Sequence, residues 1–451
     1  MNSGKISIKY FVLCVIAFSM ILAQLGCTSF RKESNRSLSE SELAEPPGNY
    51  QQGVNMHLTG QVQFSAPREK PIIEKTIEAN MQEPCDMMVD SKGCVWFNSA
   101  TKEKSSILSP VSLSVLTRLN PDGSISWEKK LKMGVIIIPA LVCEGALIYH
   151  ELTIGLKKVD DRFICIDLAG NTIWRTESLN GGVDVSRLSN DRFICDISDN
   201  NKGNYNIYSL SDGKLLGTLD LPKIDTSSEL STPVETPDKG WISFGEIIPH
   251  ENQSTTESKY ESNFETIGRY SSQFKEIWKI NTESRYGIAS PILTNDNALI
   301  FGGEKFLAKI DINDGNIIWK KTDGSKYQTC GIMSNNEIVI RYKDESGGYF
   351  LKVVDQKGND AWKWKYPCNF ELGEAVIIYN DNKILFGDKE GLNLIDKNGR
   401  IWGISSRELN VNPDDKSLYN WNLHPAPDDR VIASLWSWDK MSKIYFLKSP
   451  D

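Results

Sequence analysis

Short apolar runs alternate with polar turn clusters along most of this chain, at the spacing of strands rather than helices. The turns are Asp90-Ser91-Lys92-Gly93, Cys143-Glu144-Gly145, Asn190-Asp191-Arg192, Pro237-Asp238-Lys239-Gly240, Asn295-Asp296-Asn297, Asn335-Asn336-Glu337, Asn380-Asp381-Asn382 and Pro427-Asp428-Asp429-Arg430. The runs after them include CVWFNS, ALIYHEL, WISFGEII, ALIFGGE, KILFGDK and VIASLWSW. Asn, Asp, Gly and Pro between β-branched and aromatic runs predict hairpins, here eight of them.

A second pattern runs out of phase with the first. A turn followed by an indole recurs as NPDGSISW (Trp127), DLAGNTIW (Trp174), DINDGNIIW (Trp319), DQKGNDAW (Trp362) and DKNGRIW (Trp402). SQFKEIW (Trp278) is a weaker copy, and SLSDGKLLG keeps the turn while Leu216 replaces the indole. Copies recur about every 40 to 60 residues, the period of a radial β-repeat. Eight hairpins against seven such outer strands leave the last unit one strand short after KIYFLK (Lys443 to Lys448). The apolar segment PIIEKTIEA, Pro71 to Ala79, is predicted to complete it and close the ring. The fold expected is therefore all-β: an eight-bladed β-propeller of four-stranded antiparallel blades, closed by an N-terminal strand in the last blade.

The stretch LAKIDINDGNIIWKK, Leu307 to Lys321, resembles the tryptophan-docking repeat of PQQ-like (quinoprotein-type) eight-bladed propellers, and the resemblance covers residues 68–451. It implies that Trp127, Trp174, Trp278, Trp319, Trp362 and Trp402 dock between neighbouring blades, a use that suits a large apolar ring with one N–H donor.

The first residues predict export. Lys5 and Lys9 precede an apolar run from Tyr10 to Ala23, too short to span a bilayer comfortably, and Leu25-Gly26-Cys27 resembles a bacterial lipobox. Residues 1–26 then form a lipoprotein signal peptide, and Cys27 is the acylated first residue of the mature chain. Gln24 departs from the aliphatic residue usual at that place. Residues 27–67 are expected to form a lipid-anchored flexible tether, since the Ser- and Glu-rich stretch from Thr28 to Gly53 offers little to bury. The body, 68–451, would hang from the outer membrane or cell surface, outside the cytoplasm.

Composition narrows the partners. Loss of Lys5 and Lys9 takes the net charge from −8 to −10, which argues against nucleic acid. Seven cysteines remain beyond Cys14 and Cys27, mostly within apolar runs, where buried free thiols are expected; a Cys85–Cys94 cross-link across the first hairpin is the alternative.

Candidate chemistry is sparse. His57, His150, His250 and His424 have no paired ligand spacing and are expected at the surface or at strand ends. DINDG at Asp311 is a strand-connecting turn rather than a calcium loop. Asp160-Asp161, Asp414-Asp415 and Asp428-Asp429 are expected in solvated turns. The chain has no Cys-Cys pair, no CxxCH and no nucleophile or phosphate-binding motif. No catalytic, cofactor or metal residue is therefore assigned.

Three insertions, 101–110, 249–263 and 409–418, and the doublets Trp362/Trp364 and Trp436/Trp438, are the candidate contact surfaces. The expected role is a non-catalytic, membrane-anchored scaffold for a protein or polymer partner. In size, anchor and repeat type the chain is similar to the propeller lipoprotein of the outer-membrane β-barrel assembly machinery. A PQQ-dependent oxidoreductase and a carbohydrate-binding surface lipoprotein are the alternatives.

Overall fold

In the computed structural model, residues 37–43, 61–62 and 64–81 are described, as is most of 87–450, with breaks in several inter-strand connections. Eight antiparallel blades follow one another around a ring: residues 87–130, 135–175, 185–220, 234–281, 292–321, 326–365, 376–405 and 419–448. The first strand of a blade lies against the first strands of its neighbours, around the axis, and the fourth lies at the rim. The eighth blade takes its outermost strand from Ile72–Ala79, which pairs antiparallel with Ser442–Lys448, so the ring is closed by the strand the repeat count lacked.

Between blades the core is a series of apolar layers, one per junction. Leu351, Val353, Ile378 and Phe386 fill the gap between blades 6 and 7, for example. Alternation along each strand directs one row of side chains to each neighbouring blade, so the inner strands are buried on both faces. The outer strands alternate instead, as in the exposed/half-buried pattern of Asp360–Lys365. Every fourth strand is also a blade's free edge. Glu128, Lys129, Lys320, Lys363 and Lys365 lie on these edges, where charge discourages edge-to-edge pairing.

Two parts of the N-terminal stretch behave differently from a tether. Ser39 opens the short helix Glu40–Leu43 as a capping box: its N–H and Oγ both donate to Glu42 Oε2, at 2.9 and 2.8 Å. Leu38 beside it is only 5% exposed and joins the core between blades 2 and 3. Further on, Gln61–Val62 adds a parallel fifth strand to the inner edge of blade 7, and Val62, Phe64 and Ala66 pack into the blade 7–8 layer. Isolated apolar residues in a polar run give no periodic signal, so their burial was invisible until the ring supplied a surface.

Candidate functional site

Strand order divides the ring into two faces. The turn joining strands one and two and the turn joining strands three and four emerge on the same side. The connections from strand two to three, and from one blade to the next, emerge on the other. All three insertions belong to this second face: 101–110 follows Val95–Ala100, 249–263 lies between Trp241–Glu246 and Glu265–Tyr270, and 409–418 joins blades 7 and 8. The first two, and 413–418, lie outside the described residues. Leu409 is buried, its carbonyl accepting from the Tyr445 hydroxyl, so the start of the third insertion is core rather than contact surface.

On the turn face, four of the outer strands are pinned through an indole to the next blade's turn. Trp127 Nε1 donates to Leu168 O (2.9 Å), Trp174 to Leu210 O (3.1 Å), Trp278 to Ile312 O (2.8 Å) and Trp319 to Gln356 O (2.9 Å). Each indole lies over the Gly of the turn it bonds, or beside it. At Gly213, whose φ is +70°, a Cβ would come within 2.4 Å of the Trp174 ring. Trp402 donates instead to Pro67 O (3.2 Å) in the N-terminal stretch, which stands in for the hairpin that blade 8 lacks. Trp362 and Trp364 are half-buried in the blade 6–7 layer. Trp436 is buried in the layer between blades 8 and 1, and Trp438 lies outside the described residues.

Two junctions depart from the tryptophan rule. In blade 8 the register places Lys75 at the indole position, and its Nζ donates to Gly123 O at 2.7 Å. In blade 3 the equivalent position is Gly217, not Leu216: Ile207 pairs with Gly217 and Tyr208 with Leu215, so Leu216 falls in the bulge and is exposed. The bulge just before the indole shifts the side-chain count by one, which makes the neighbouring residue look equivalent in sequence.

A further set of staples escaped sequence reading. Arg118, Arg269 and Lys309 pair in register with Trp127, Trp278 and Trp319, and their charges reach the inner turn of their own blade: Asp90 (3.1 Å), Asp238 (2.6 Å) and Asp296 (2.7 Å). Arg269 also donates to Ile312 O and Lys309 to Gln356 Oε1, both on the next blade. The sequence showed those Asp residues only as members of hairpin turns; a cation three strands into the blade, opposite the indole, was the available signal in these three repeats.

The histidines differ from expectation. His150 (2% exposed) and His424 (6%) lie inside strands and inside the body, not at the surface. His57 and His250 lie outside the described residues. Neither nitrogen of His150 has a hydrogen bond; Nε2 is 4.0 Å from Asp161 Oδ2, with the Phe163 ring packed alongside. Burial lowers the His150 pKa, and Asp161 offsets part of that shift. Asp160 and Asp161 thus sit in a strand, Val159–Asp167, rather than a turn, with Asp161 buried; Asp428 and Asp429 do form a turn, both at positive φ, and Asp414-Asp415 lies outside the described residues. Burial pushes His424 down to about 4 and Asp388 up to about 6.

Asp311 caps its own turn through Oδ1, which accepts from the Asn313 N–H. Among the described residues, no three His, Cys, Asp or Glu side chains are grouped to hold a metal ion. Cys94, Cys143, Cys165 and Cys195 are buried, with the Cys94 thiol pushed up to about 11; Cys94 carries no cross-link, and Cys85 lies outside the described residues.

No protein-family model and no curated protein matches the chain. Among solved structures it is similar to a protein of unknown function from Bacteroides caccae, at 11% identity over 57% of this chain and 92% of that one, with a TM-score of 0.35. It is also similar to KlHsv2 with loop 6CD replaced by a Gly-Ser linker (8% identity, 69% and 91% covered, TM-score 0.40). The AfRom2 CNH domain gives 10% identity, 68% and 92% covered, and a TM-score of 0.42.

Proposed function

We propose that this chain is a non-catalytic scaffold, anchored to a bacterial membrane through acylated Cys27, that binds a protein or polymer partner with its loop face. The observation that carries the reading is the difference between the two faces. On the turn face, short turns repeat around the ring, and four junctions share one indole-to-turn docking geometry. On the loop face, connection length ranges from Glu304-Lys305 to the whole of 247–264. A rigid scaffold bearing unequal loops on one side is the usual arrangement for recognition. His150, Asp161, Asp388 and His424 are buried within the body of the ring. Among the described residues no helix is long and apolar enough to cross a membrane.

Crosslinking and pull-down from membranes test the scaffold. Recovery of one partner that is lost when 249–263 is replaced by a Gly-Ser linker supports it. Turnover of alcohols or sugars by protein reconstituted with quinone and Ca²⁺ overturns it.

A further inference from the structure

The N-terminal stretch passes over the turn face before it reaches the ring, and this has a consequence for how the molecule hangs. Leu38 N–H donates to Ser211 O at 3.0 Å, in the outer turn of blade 3. Gly145 N–H, in the inner turn of blade 2, donates to Glu42 O at 3.0 Å. The Leu38 side chain is buried with Leu210, Tyr208 and Trp174. Residues 37–43 are therefore clamped to the turn face by one buried side chain and two backbone bonds.

From the docking of 37–43 we infer that the turn face looks toward the membrane and the loop face away from it. This rests on the proposed acylation of Cys27. Only 11 peptide steps separate Cys27 from Leu38, a reach of at most about 39 Å and a root-mean-square span of about 18 Å for a flexible chain. A free tether from 27 to 67 would reach about 140 Å and impose no orientation. The blades are themselves about 20 to 30 Å deep, as strands of six to nine residues dictate. The loop face consequently stands a full strand length farther from the lipid than the turn face.

A second observation points the same way. The exposed aliphatic side chains Ile125, Leu215, Leu216, Ile277, Ile317 and Ile318 all begin outer strands, just after the outer turn. They form an apolar rim around the turn face, the end the anchor draws toward lipid.

The test uses full-length acylated protein on phosphatidylethanolamine/phosphatidylglycerol vesicles carrying a headgroup acceptor dye. A donor is placed on an unnatural amino acid at Ala169 or Lys357 on the turn face, or at Lys305 or Glu345 on the loop face. Transfer at least twofold stronger from the turn face is expected. Two variants should erase the difference while the protein still floats with vesicles: Leu38→Asp, and Gly145→Ala, whose Cβ would meet Glu42 at 2.6 Å. Each acts from a different side of the clamp, and the second leaves the arm's own sequence intact. Equal transfer from both faces by protein that floats overturns the orientation. Failure to float, matched by Cys27→Ser, overturns the anchor instead.

Discussion

His424 and Asp388 are buried ionisable groups in neighbouring blades, and they respond to pH in opposite directions. His424 titrates near 6.5 when unfolded but near 4 when folded. Between those values the unfolded chain holds the extra proton, so stability is complete above about pH 6.5 and falls as pH drops toward 4. The full difference is about 3 kcal/mol. Asp388, raised to about 6, is more stable protonated: its contribution is largest below 3.8 and is lost as pH rises through 6. In the parent protein the two partly cancel between pH 4 and 6. Urea midpoints for Asp388→Asn should therefore fall more steeply below pH 6 than the parent's, and those for His424→Leu less steeply. Parallel curves for all three proteins would show that neither group titrates as described. Glycine gives a sharper residue-scale contrast. Gly213 and Gly347 both have positive φ, but a Cβ on Gly347 meets nothing within 4 Å. Ala at either position carries backbone strain of about 1 kcal/mol. Gly213→Ala should cost more, because the Trp174 ring must also move, and chemical denaturation reads the difference.

At the level of elements, the strands were legible because each blade face alternates and each turn has its own chemistry. The pattern does not show which partner fills each junction. Trp174 and Lys75 occupy equivalent register positions on their outer strands, yet one is a buried ring and the other an exposed amine with a single bond to Gly123 O. Trp174→Ala should cost about 3 to 5 kcal/mol in denaturant titrations, as for other buried large-to-small changes. Lys75→Ala should cost about 1 kcal/mol, the scale of one solvent-exposed hydrogen bond. A Lys75 effect as large as that of Trp174 would mean that ring closure depends on this one contact. The cation staples were unreadable for a related reason: Asp90 and Arg118 are 28 residues apart, and only the hairpin register brings them to 3.1 Å.

The whole molecule is a ring whose ends meet without a covalent link. Ile72 pairs directly with Lys448, so a short linker could join them as an ordinary outer hairpin. A circular permutant that starts at Asn80 and carries 61–79 behind the present C-terminus, through a Gly-rich linker, should fold and keep most of the parental stability, short of what the docked Leu38 contributes. Deleting residues through Ala79 should instead expose the edge of Ser442–Lys448 and lower the melting temperature sharply, with partial recovery when a peptide spanning 64–79 is added. Calorimetry distinguishes these outcomes. A deletion variant as stable as the parent would show that the closing strand contributes little.

By itself the sequence determined the repeat, the number of blades, the turn positions and the strand that closes the ring. These follow from local alternation and turn chemistry, which act over a few residues and recur often enough to count. Tertiary structure alone decided that Leu38 and Val62 are buried, that Trp402 bonds Pro67 across 335 residues of sequence, and that His150 and His424 lie inside rather than at the surface. Each depends on which distant segment comes to lie alongside, and a chain has no local signal for a neighbour it meets only after the ring has closed.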